Sequence, residues 1–94
     1  MDMTATYKSY FLQLPKALLS QYPELPLEDH TYLRIALDNA IGTQWELRVP
    51  KPAYKHLTSL QRKQVISNLM KYVHNKQTLL EHKSISQAYR GVLD

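Results

Sequence analysis

The sequence predicts an all-α fold, a compact bundle of about four helices with the first one broken at Pro15 and an extended segment near 43–49. Three observations carry this expectation. Apolar residues recur at steps of three and four in several separate stretches, proline and glycine fall between those stretches, and one short run alone alternates with the period of a strand. Ninety-four residues lie below the size at which chains split into separate cores, so one domain spanning 1–94 is expected. A composition of 44% hydrophobic and 21% charged residues belongs to a chain that folds rather than to a disordered one.

In the first helix Tyr7, Tyr10, Phe11, Leu14, Leu18 and Tyr22 fall on one face. Pro15 interrupts the pattern. Its ring clashes with the carbonyl of Phe11 and it lacks a backbone donor, so the helix should kink there or restart with Pro15 in a first turn. Pro23 and Pro26 then mark a connector. A second helix is expected over about 27–41, on the stripe Leu33, Ala36, Leu37, Ala40 and Ile41. Glu28 and Asp29 suit its N-terminus, and Gly42 supplies its stop.

From Thr43 to Val49, Trp45, Leu47 and Val49 alternate with Gln44, Glu46 and Arg48, ended by Pro50 and Pro52. A lone strand leaves its backbone donors unpaired. The favoured reading is therefore an extended loop that tucks Trp45 into the core, and the other is a strand paired with a second chain. Thr58 with Gln61 fits a capping box, followed by Val65, Ile66, Leu69, Met70 and Val73 at helical steps. Asn75-Lys76-Gln77 reads as a turn, and Thr78 with Glu81 as a second capping pair. In the last helix Ile85, Ala88, Tyr89 and Val92 define an apolar face, with Leu79 and Leu80 out of phase. Either the helix is continuous from Thr78, or it breaks near Lys83 with Ser84 and Gln87 as caps.

Absent residue types exclude several functions. Without cysteine there are no disulfides, no thiolate chemistry and no cysteine-bearing zinc site, and a reducing cytoplasm is the expected setting. Two glycines cannot build a phosphate-cradling loop. The first residues lack the pattern of a signal peptide and no stretch is long enough to span a bilayer, so no membrane partner is expected. The four histidines show no ligand spacing, so no metal or other cofactor is expected, and no catalytic signature occurs. The sequence predicts no enzyme.

Charge is the strongest remaining signal. Residues 1–46 carry a net charge of −3 and residues 47–94 of +7, and no acidic residue occurs between Leu47 and Leu80. Such a segment attracts polyanions, because neutralised phosphates release condensed counterions. The expected function is a small regulatory or accessory binding module whose basic half contacts an acidic partner, nucleic acid first. Arg62, Lys63, Lys71 and Lys76 would make phosphate contacts, while Lys83, Gln87 and Arg90, sharing a helix face with Ser86, would read bases. Tyr54 and Tyr72 stand among the basic residues, where aromatic rings suit either base stacking or a core edge. The competing expectation is a protein interaction module, including a homodimer, that uses Trp45 and the 43–49 segment. The basic half could also face the acidic half of its own chain. His30, Arg34 and Asp38 form a ladder expected on the solvent side of the second helix, with Arg34 and Asp38 able to pair.

Overall fold

The computed structural model describes residues 4–91, with side chains from Tyr7 onward. Among the described residues five α-helices occur, in the order α1 (Thr4–Gln21), α2 (Asp29–Ile41), α3 (Ala53–His56), α4 (Ser59–His74) and α5 (Lys76–Tyr89), with a 3-10 turn at Trp45–Leu47. The described residues contain no strand. The fold is an all-α helical bundle.

The helix α1 runs through Pro15 instead of restarting there. An interior proline removes a backbone bond and costs about 3 kcal/mol. Here its ring is buried and lies with Phe11 and Leu33 at the α1–α2 junction, which offsets that loss. Tyr7, Phe11, Leu18 and Tyr22 of the expected stripe are buried, whereas Tyr10 faces solvent. The side chains Tyr7 and Arg62 meet at one end and Gln21 reaches the Val73 carbonyl at the other, so α1 and α4 run side by side in the same direction.

At the centre lies α2, packed against α1, α4, α5 and the 3-10 turn. Its four consecutive residues Ile35, Ala36, Leu37 and Asp38 are all buried, more than a single amphipathic stripe allows. Gly42 ends it as expected, at φ 88° with its N–H donating to the Asp38 carbonyl at 2.8 Å. Helix α4 opens on the expected capping box: Gln61 N–H donates to Thr58 Oγ1 at 3.1 Å, and Thr58 N–H to Gln61 Oε1 at 2.9 Å.

Asn75 replaces the three-residue turn expected between the last two helices. It is the C-terminal cap of α4, its N–H donating to the Lys71 carbonyl, and the N-terminal cap of α5, its Oδ1 accepting from Thr78 N–H at 3.2 Å. Thr78 is thus inside α5, and α5 continues past Lys83 without a break.

Side-chain hydrogen bonds fix how the helices sit on one another. The Tyr22 hydroxyl donates to the Tyr72 carbonyl at 2.6 Å, Asn68 Nδ2 to the Ala36 carbonyl at 3.1 Å, and Asn39 Nδ2 to the His82 carbonyl at 3.0 Å. Each satisfies a polar group inside the bundle that would otherwise be costly to bury.

Candidate functional site

The outer surface of α4 is its most basic one. Lys63, Ser67, Lys71 and His74 are exposed and follow one another at steps of four, four and three, so they share a face about 16 Å long. At the beginning of α4 further cations gather. Arg62 stacks its guanidinium 5.2 Å from the Tyr7 ring and donates from Nη2 to the Lys55 carbonyl at 3.4 Å. Lys8 sits 5.4 Å from the Tyr54 ring. These contacts place Lys8 and Arg62, 54 residues apart in sequence, at the same end of the bundle as Lys55. Sequence reading gave Lys8 no role, because its neighbours come from distant segments.

Of the expected phosphate contacts, Lys63 and Lys71 are exposed, while Arg62 is half-buried against Tyr7. Lys76 stands apart at the other end of α4, with its ammonium 3.6 Å from Glu24 and 5.9 Å from the Tyr22 ring. That pair is exposed and contributes little to stability.

The expected base-reading face is turned the other way. Leu79 and Ser86 are fully buried, and His82, Lys83, Gln87 and Arg90 are partly buried on the same side of α5. Ile85, Ala88 and Tyr89, expected to face the core, point outward, and Val92 lies outside the described residues. The reason is an ion-pair network. Arg90 donates from Nε to Asp38 Oδ2 at 2.8 Å and from Nη2 to Asp38 Oδ1 at 3.0 Å. It also donates to both carboxylate oxygens of Glu46, at 3.1 and 2.7 Å. Ser86 Oγ donates to Asp38 Oδ2 at 2.6 Å, and Trp45 N–H to Asp38 Oδ1 at 3.0 Å. Asp38 is 0% exposed, so leaving α5 in the opposite phase would strand a buried carboxylate. These bonds raise the pKa of Arg90, and the Arg90 hydrogen bond holds Glu46 below the ordinary carboxylate value.

The same network corrects the reading of α2. Asp38 is not on a solvent-facing ladder with His30 and Arg34, but points at α5. His30 remains exposed beside Glu28 and Asp29, its Nδ1 at 3.3 Å from Glu28 and 3.8 Å from Asp29.

Residues 43–49 form neither a strand nor an extended loop. The Trp45 amide bonded to Asp38 starts a 3-10 turn, closed by Arg48 N–H donating to the Trp45 carbonyl at 3.0 Å. Trp45 is half-buried against the core, as expected, and Val49 is buried, while Leu47 projects into solvent. Beside Trp45 lies an open apolar groove of about 350 Å³ between α1, α2 and the residues leading into α3, with Lys8 and Lys51 among its walls.

A second polar pair joins α4 to α5. The Tyr72 hydroxyl and His82 Nδ1 are 2.6 Å apart, with the rings edge-on at 86°. Burial, aided by Lys71 and opposed by Glu81, lowers the His82 pKa, and burial raises that of Tyr72. Both shifts favour a neutral imidazole beside a neutral phenol, joined by one hydrogen bond.

Among the described residues no three metal-ligating side chains come together, and no helix is long and apolar enough to cross a membrane. Comparison with family models, with curated proteins and with solved structures found nothing that matches this chain.

Proposed function

We propose that the protein is a small non-enzymatic binding module that takes nucleic acid along the outer face of α4, through phosphate contacts that do not depend on sequence. The observation that supports this is the exposed row Lys63, Ser67, Lys71 and His74, within a stretch from Leu47 to Leu80 that has no carboxylate. Lys55 and Lys8 extend the positive surface at the start of the helix, and Arg62 braces it through Tyr7 and the Lys55 carbonyl. Charges spaced along a helix face meet the repeating charge of a nucleic-acid backbone. With Ser86 and Arg90 bound to Asp38, no base-reading face accompanies them, so contacts position without specifying. A regulatory or accessory role in a reducing cytoplasm fits such a module.

The test is fluorescence anisotropy with labelled single-stranded and duplex oligonucleotides in low salt. Binding should weaken steeply with added salt. Replacing both Lys63 and Lys71 by Glu should reduce affinity tenfold or more and lower the salt slope by about two for duplex DNA. Absence of binding at low salt would remove the proposal.

A protein partner is the second reading, favoured by Leu47, which is 69% exposed next to Trp45. It predicts a complex or a homodimer that Leu47→Asp abolishes, read by mass in solution. A strict monomer would count against the homodimer.

A further inference from the structure

The groove beside Trp45 shares Lys8 with the surface proposed for nucleic acid and otherwise lies apart from the α4 row that carries that reading. Its volume, about 350 Å³, falls within the range of pockets that hold small molecules. Phe11 and Leu12 come from α1, Leu33 and Leu37 from α2, and Trp45 and Tyr54 close it from the segment between α2 and α4. Lys8 and Lys51 are its only charged walls among the described residues. An apolar trough with cations and no carboxylate along it matches a molecule with an apolar body and a single negative charge.

A smaller depression of about 100 Å³ adjoins it, because Phe11, Leu12 and Leu33 line both. This extension continues along α1 to Pro15 and ends at Asp29 and His30. The larger depression has lysines in its wall and the smaller one has Asp29. An apolar tail fits against the wall of Phe11, Leu12 and Leu33 that the two share. A second carboxylate at the tail's far end would meet Asp29.

We infer that this groove binds a medium-chain monocarboxylate, its carboxylate at Lys8 and Lys51 and its alkyl chain along Phe11, Leu12 and Leu33. Lys8 is held near the Tyr54 ring, which keeps its ammonium at the groove instead of trailing into solvent. The alkyl chain would displace water from an almost wholly apolar surface, the main source of affinity, and the lysines would select the charged end.

The chain's single tryptophan lines the groove, so its emission reports occupancy directly. Decanoate below its micelle concentration should change Trp45 emission saturably, whereas decanol and the dicarboxylate sebacate should bind several-fold more weakly. Replacing Lys8 and Lys51 together by Ala should weaken decanoate roughly tenfold while leaving decanol unaffected. Leu12→Glu places a carboxylate where both depressions meet, at an exposed helical position, and should abolish decanoate binding with the circular dichroism of the folded protein retained. Three results would overturn the inference: no saturable change with decanoate, equal binding of decanol and decanoate, or a response unaltered by the double lysine replacement. Saturation by an acidic amphipathic peptide but not by decanoate would overturn it too, in favour of a protein partner.

Discussion

Arg90 meets Asp38 with two hydrogen bonds of 2.8 and 3.0 Å, joining the residue that caps the C-terminus of α5 to the last turn of the central helix. The pair is shielded: the Arg90 side chain is 17% exposed and that of Asp38 is 0%. Removing one member of such a pair leaves the other charge without compensation. Arg90→Ala should therefore destabilise the fold by about 3 kcal/mol in denaturant unfolding, more than truncation of any exposed lysine. Arg90→Lys should recover only part of that, because an ammonium cannot make the two-pronged contact. Asp38→Leu combined with Arg90→Met should be less harmful than Arg90→Ala, and a double variant that is worse would show that the pair itself supplies the stability.

Glu46 gives the same network a dependence on acid. Its pKa is depressed, so the stability it contributes is present above the ordinary value of 4.5 and is lost as pH falls below that through the folded value. Glu46→Gln should cost about 1 kcal/mol or less near neutrality, and the difference from the unaltered protein should shrink as pH falls below 4.5 through the folded value. Urea melts of both proteins across this range check the crossover.

His82 acts in a higher window. Its folded pKa lies below the ordinary 6.5, so the unfolded chain takes up a proton first and stability declines as pH falls below about 6.5. Protonation also puts a proton on both ring nitrogens, so that Nδ1 can only donate to the Tyr72 hydroxyl. Between about pH 7 and about pH 5 the melting temperature should fall, and His82→Gln should flatten that fall. An unchanged slope in the variant would assign the effect elsewhere.

Tyr32 makes the opposite kind of prediction. It is fully buried, yet its hydroxyl has no hydrogen-bond partner among the described residues, and burial raises its pKa. A buried hydroxyl without a partner is a cost, so Tyr32→Phe should be neutral or stabilising by up to about 1 kcal/mol, whereas Tyr22→Phe, which loses the bond to the Tyr72 carbonyl, should destabilise. Thermal melts of the two variants side by side decide it.

The features that could be read from the sequence are those whose partners lie within a turn or two. Thr58 and Gln61 cap each other three residues apart, and Gly42 closes the helix that precedes it, so both were evident from spacing. Trp45 reached the core as expected, but by a turn anchored on Asp38 instead of an extended path. The phase of α5 departs from its apolar periodicity for a definite reason. Apolar periodicity assumes that polar side chains face water, and here Ser86 and Arg90 face inward because a carboxylate 52 residues before Arg90 is buried opposite them. A hint was present in α2, where Asp38 directly follows Ile35, Ala36 and Leu37 in a helix that its neighbours enclose on several sides. The groove and the meeting of Lys8 with Tyr54 depend on three segments coming together, and no local pattern encodes that.

Asn75 alone separates α4 from α5, ending one helix and starting the next. The corner therefore meters the rotation of α5, since every residue added there would turn the following helix by about 100°. A single inserted residue would swing Arg90 off Asp38 and carry Leu79 out of the core, while the same insertion in the proline-punctuated connector at 22–28 would leave both registers intact. The chain's tolerance for changes in length is thus sharply uneven, forbidden at the corner that looks most like an ordinary loop in sequence and permitted in the acidic link before α2.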